Sequence, residues 1–91
     1  MKLDIASCKA VDTSKIDAEY RAGYTGVLVT GTAGKETLTA FVHQSQKLDC
    51  KTLKPKAKIS ASVDHACCDG DPNVPCLVGA RKIFSNVKVS R

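Results

Sequence analysis

Two stretches of strict alternation flank a segment that can continue neither of them, and this arrangement constrains the fold more than any other feature. From residue 56, Ala57, Ile59, Ala61 and Val63 fall on one face and Lys56, Lys58, Ser60, Ser62 and Asp64 on the other. A period of two over this length marks a half-buried strand. Residues 65–76, "HACCDGDPNVPC", break it with two prolines, a glycine and three cysteines. Alternation resumes from Arg81, with Ile83, Ser85, Val87 and Val89 opposing Lys82, Phe84, Asn86 and Lys88. Two strands around a turn-rich segment predict an antiparallel hairpin with a long loop.

Upstream, "GYTGVLVTG" is rich in β-branched residues and bounded by glycines, and reads as a strand. "LDIASCKAV" suits an N-terminal strand. "KETLTAFVHQSQKL" fits two templates: Leu38, Phe41, Val42 and Ser45 would line a helix, whereas Thr37, Thr39, Phe41 and Val42 favour a strand. Strand is the expectation, because the β-branched cluster suits a sheet. Residues 12–23 offer a helix N-cap at Asp12, Thr13 or Ser14 and a stop at Gly23. The predicted fold is mainly β (or α+β): a single antiparallel sheet or small sandwich, with a long Cys-rich hairpin loop and at most one short helix. With 91 residues and no repeat or linker, the chain is expected to be a single domain, 1–91.

Aromatics are scarce, two Phe, two Tyr and no Trp, so the core must come from Val, Ile, Leu and Ala. A core this thin in a small chain favours help from disulfides, a metal or assembly. The net charge of +5 favours anionic partners without naming one, and no Lys/Arg run forms an arm. "MKLDIASCKAV" lacks the uninterrupted apolar region of a signal peptide. No segment reaches the roughly 20 apolar residues of a membrane helix, so no membrane contact is expected. The expectation is a soluble intracellular chain, or a mature fragment carrying an added Met.

"VLVTGTAGKET" has the look of a phosphate-binding loop, but the pattern requires glycine where Val29 stands and a hydroxyl where Glu36 stands. It reads as a glycine turn between two strands. His65, Cys67, Cys68 and Cys76 form a candidate zinc set, but adjacent Cys67 and Cys68 diverge on extended backbone and miss the usual Cys-x(2–4)-Cys spacing. "DGDPN" lacks the later glutamate of a calcium loop. No metal or other cofactor is assigned. Disulfides fit better: Cys67 or Cys68 onto Cys76, and Cys8 onto Cys50. Five cysteines leave one thiol over, placed to bond a neighbouring subunit. Of the two histidines, His43 reads as an ordinary strand residue, and no Gly-x-Ser-x-Gly elbow or Cys/His pair marks a nucleophile. The expectation is a protein that is not an enzyme.

Lys56 and Lys58 on one late strand and Lys82 and Lys88 on the other make a candidate cationic stripe for RNA phosphates. Lysines on strands also serve to block edge aggregation.

The segment "PKAKISASVDHACCDGDPNVPCLVGARKIFSNVKVS" resembles, in pattern, the strand–loop–strand region of single-stranded RNA bacteriophage coat proteins. That resemblance implies sheet strands at residues 57–64 and 81–90. It implies Cys67, Cys68 and Cys76 at capsid symmetry axes, and Lys56, Lys58, Lys82 and Lys88 toward an RNA hairpin. The helices that follow the second strand in that family have no counterpart after Arg91, and residues 12–23 are the sole helical candidate. The functional expectation is a self-assembling structural protein of viral or phage type, a homo-oligomer in the virion or host cytoplasm that contacts RNA. The alternative is a small secreted, disulfide-stapled module, an effector or inhibitor acting on a host protein.

Overall fold

The computed structural model describes residues 1–65 and 78–90. Five strands carry the fold: β1 (Lys2–Ala10), β2 (Gly26–Ala33), β3 (Glu36–His43), β4 (Lys58–His65) and β5 (Lys82–Ser90). The ambiguous stretch after Lys35 is therefore strand. Its Thr37, Leu38, Thr39, Ala40 and Phe41 pair residue for residue with β2. Gly34, at φ +66°, takes the first central place of the two-residue β2–β3 turn, where primed hairpin turns demand glycine. The glycine-rich motif is thus a hairpin, as its failed phosphate-loop spacing required.

The chain is mainly β and forms one sheet, which closes on itself in the order β1-β2-β3-β5-β4. All neighbours are antiparallel except β3 and β5, which meet in parallel through Ala40–Lys82, Phe41–Ile83 and Val42–Phe84. A five-stranded Greek-key barrel with this connectivity has the OB-fold topology. Closure answers the problem of a thin core, because a barrel buries one face of every strand and leaves little open edge. Leu3, Ile5, Val29, Leu38, Val42, Ile59 and Phe84 fill the interior.

Two irregularities set which side chains point inward. On β1 the register slips between Ile5 and Ser7, so that Ile5 and Cys8 both turn toward the core although they stand an odd three positions apart. Gly31 lies beneath this bulge; a Cβ there would strike the Asp4 carbonyl and meet the Ile5 Cα at 3.1 Å. On the β4–β5 pair the register slips between Ser60 and Ser62, where Asn86 adopts a left-handed φ of 52°. The phase of β5 inverts at that point. Phe84 is buried with Val63 opposite it, while Val87 and Val89 resume the inward face beyond the bulge. The alternation expected for β5, with Phe84 among the polar positions, fails for this reason.

The connectors depart from expectation as well. The helix foreseen over residues 12–23 is a single turn, α1 (Arg21–Tyr24). Asp12 spends its carboxylate on Ser14, accepting from its backbone N–H at 2.9 Å and its hydroxyl at 2.6 Å, and so forms a local turn instead of a cap. The β3–β4 connection holds a 3-10 turn (Gln44–Gln46) and a loop fixed to β1 at several points. Leu53 enters the core fully buried. The Lys56 N–H donates to the Ile5 carbonyl at 2.8 Å, and the Ile5 N–H donates to the Ala57 carbonyl at 2.9 Å. Cys50 is disulfide-bonded to Cys8, their Cα atoms 5.4 Å apart.

Candidate functional site: a lysine groove beside the β1–β4–β5 surface

The expected strands carrying lysines are neighbours, β4 pairing with β5 and also with β1. Lys58 stands opposite Ser90 on β5 and Asp4 on β1, and Ser60 lies between Lys88 and Lys2. Cross-strand partners point to the same side of a sheet, so Lys2, Lys58 and Lys88 share the outer surface. Lys56 sits just before β4, in a turn, with a left-handed φ of 74°. Lys82 does not join them. It lies on β5 before the bulge, opposite His65, on the phase that carries Phe84 inward. Six residues of strand, roughly 20 Å, separate it from Lys88. The structure therefore brings together Lys56, Lys58 and Lys88 of the expected stripe, and places Lys82 elsewhere.

Sequence reading missed the partners that turn these lysines into a groove. The loop before β4 folds beside the end of β5, and a hollow of about 740 Å³ opens between them. Among the described residues, Lys51, Lys54, Lys56 and Lys58 line it together with Pro55 and Val89, and no carboxylate does. A signal was present: "KTLKPKAK" holds four lysines in eight residues, a high local density without an unbroken basic run. Two acids stand near the rim. Asp4 is the β1 neighbour of Lys58. Asp49 accepts from the Thr52 and Lys51 N–H groups and the Thr52 hydroxyl, and these bonds, with the Lys51 charge, hold its carboxyl below its usual range. Among the described residues, six lysines (2, 51, 54, 56, 58 and 88) against two carboxylates give the region a surplus of four positive charges. Among the described residues no aromatic ring lines the groove, so that lining can neutralise an anion but offers no surface on which a base could stack.

Cys8 and Cys50 form the bridge expected of them. Cys67, Cys68, Cys76 and the His65 side chain, with the zinc and calcium readings considered for that segment, lie outside the described residues. Among the described residues no group of three metal-ligating side chains comes together, and no helix is long and apolar enough to cross a membrane. His43 ends β3 as a brace. Its Nδ1 accepts from the Ser45 N–H at 3.0 Å, so Nε2 carries the proton and donates to the Ala22 carbonyl at 2.9 Å. That pair of bonds ties the β1–β2 connector to the barrel.

No protein-family model, curated protein or solved structure matches this chain.

Proposed function

We propose that this chain is a binding module, not a catalyst, whose lysine groove holds the phosphate backbone of a single-stranded nucleic acid. The observation that carries the reading is the groove itself, in which four lysines from a loop and an adjoining strand line one hollow, with no carboxylate among the described residues there. Backbone contact of this kind is electrostatic and indifferent to sequence. The described lining holds no aromatic ring on which a base could stack, so binding there would rest on phosphate charge.

The test is the salt dependence of binding to a fluorescein-labelled oligothymidylate, read by anisotropy. Neutralising roughly four phosphates on a single strand gives a slope of about −2.8 in log K against log salt. Affinity then falls about 50-fold between 50 and 200 mM salt. The double variant Lys54→Ala/Lys58→Ala should halve the slope. No binding at about 50 mM salt, or binding indifferent to salt, would refute the proposal. Equal salt-dependent capture of heparin would assign the groove to anionic polymers in general and remove nucleic acid as its particular partner.

One further observation favours self-association as a second reading. Five cysteines less the two in the Cys8–Cys50 bridge leave three, and three thiols cannot all pair within one chain. A bond between two copies would use the odd one. Native mass spectrometry with and without reductant reads this directly: reducible dimers support it, and a monomer under both conditions removes it.

A further inference from the structure

The stretch that carries Lys51 and Lys54 is held to the barrel by few ties. Among the described residues, every hydrogen bond of residues 48–55 stays within the loop before β4. Asp49 accepts from the N–H groups of Lys51, Thr52 and Leu53, and the Lys54 carbonyl accepts from the Ala57 N–H. The first backbone bond to a strand comes at Lys56, which donates to Ile5. Before that point the loop meets the barrel through the Cys8–Cys50 bridge and through packing, with Leu53 fully buried and Leu48 partly so.

These ties divide the groove's lysines. Lys54, Lys56 and Lys58 follow Leu53 and lie on the side that the core and Ile5 hold without the bridge. Lys51 is exposed and follows Cys50 directly, so the bridge is the tie nearest to it. Both cysteines are half-buried, not sealed in the core, and a hollow of about 340 Å³ opens beside Cys8. A small dithiol therefore has a path to the bridge.

We propose that the Cys8–Cys50 bridge is a redox gate on the lysine groove: a dithiol opens it, Lys51 is released from the groove, and nucleic acid is held less tightly. This inference rests on the function proposed above for the groove. In the opening step the Sγ–Sγ bond breaks, each cysteine gains a hydrogen, and the dithiol closes into its own disulfide, which balances electrons and protons. The barrel persists, because Ile5 still exchanges backbone bonds with Lys56 and Ala57. The reduced groove has one phosphate contact fewer, and on a single strand each contact contributes about 0.7 to the salt slope. The slope therefore shrinks from about −2.8 to about −2.1. With the two forms equal at about 1 M salt, the reduced form binds about eightfold more weakly at about 50 mM and about threefold at about 200 mM.

The experiment uses the full chain with Cys67→Ser, Cys68→Ser and Cys76→Ser, so that only this bridge responds. Anisotropy of fluorescein-labelled oligothymidylate is measured with and without dithiothreitol, and the oxidised form should bind about eightfold more tightly at about 50 mM salt. Cys8→Ala/Cys50→Ala should bind like the reduced form with or without the dithiol. Lys51→Ala should do the same, whereas Lys54→Ala should weaken both forms and keep the difference between them. Nitrogen-15 relaxation of the free protein reads the gate without the ligand: on reduction the order parameters of Lys51 and Thr52 should fall while those of β2 and β3 stay rigid. Equal affinity of the two forms, a redox difference that survives in Lys51→Ala, an unchanged order parameter at Lys51, or lost order in β2 and β3 on reduction would each overturn the gate alone. Absence of binding by the oxidised chain would instead overturn the function proposed for the groove, and the gate with it.

Discussion

Removing the Cys8–Cys50 bridge should cost the protein a large part of its stability, and the structure sets the size of the effect. The bridge spans a sequence separation of 42 residues. In the chain-entropy account a disulfide acts chiefly by restricting the unfolded chain, and a loop of this length is worth about 4 kcal/mol at room temperature. A domain of 91 residues has a total stability of about 5–14 kcal/mol, so the loss takes at least a quarter of it. Its entropy of unfolding, about 0.19 kcal/mol per kelvin, converts the same loss into a melting temperature lower by about 20 °C. The native position of Cys50 does not depend on the bridge alone, because Leu53 is buried nearby and Ile5 exchanges backbone bonds with Lys56 and Ala57. The reduced protein should therefore keep the same folded barrel and lose stability through its unfolded state. The assay is urea and thermal unfolding, followed by far-ultraviolet dichroism, of a chain with Cys67, Cys68 and Cys76 replaced by serine. Oxidised and reduced samples are compared with the Cys8→Ala/Cys50→Ala variant. A reduced midpoint within about 1 kcal/mol of the oxidised one would refute the reasoning, by showing that the unfolded chain gains little freedom when the loop opens.

Three further outcomes follow from the packing and the turns. Leu53→Ala should destabilise by about 2–5 kcal/mol in urea unfolding, since this fully buried side chain is the core contribution of its loop. Gly31→Ala should lower the thermal midpoint, because the new Cβ meets the Asp4 carbonyl and the Ile5 Cα, both backbone groups that cannot swing aside; an unchanged midpoint would show that the β1 bulge yields. Asp49 has a carboxyl held below its ordinary value of 3.8, chiefly by the Thr52 N–H. Its contribution to the turn is thus fully present above pH 3.8 and is lost as the pH falls through the lower folded value. Carbon NMR titration should find the Asp49 midpoint below that of an unstructured aspartate, and Asp49→Asn should abolish this part of the acid sensitivity.

How much of this was legible depends on where each constraint resides in the chain. The face of β4 was readable, because Ile59 and Ala61 are buried and Lys58 and Ser62 exposed in plain alternation. The hairpin turn at Gly34 was readable from local chemistry alone. The inward turn of Phe84 was not, because it depends on an extra residue in β5 relative to β4, and a bulge leaves no mark on the hydrophobic pattern of a single strand. Closure of the sheet was equally hidden. It rests on β1 meeting β4 and β3 meeting β5, contacts between strands distant in sequence. Leu53 had no periodic company and could not announce itself as core. The lysine groove was half visible for the same reason: Lys56, Lys58 and Lys88 lie on or beside readable strands, whereas Lys51 and Lys54 are brought in by an irregular loop.

That loop is where stability and the proposed function meet. Lysines crowded at this density repel one another, and a free loop would relax by spreading them into solvent. Here the spreading is opposed at both ends of the stretch: Cys50 is bonded to β1, and Lys56 and Ala57 are paired to Ile5 on the same strand. Between these ties, Leu53 is drawn into the core, and the side chains of Lys51 and Lys54 flank the point where the chain dips inward. The left-handed backbone at Lys56, uncommon for a residue with a Cβ, then directs the chain into β4 with Lys58 on the outer surface. The backbone that carries the lysines is thereby held in place, and under the proposed function an anion would relieve the repulsion on binding. Such preorganisation reduces the ordering cost that a flexible basic tail would meet. It also explains why a basic cluster belongs on a disulfide-tethered barrel loop and not on a terminal arm.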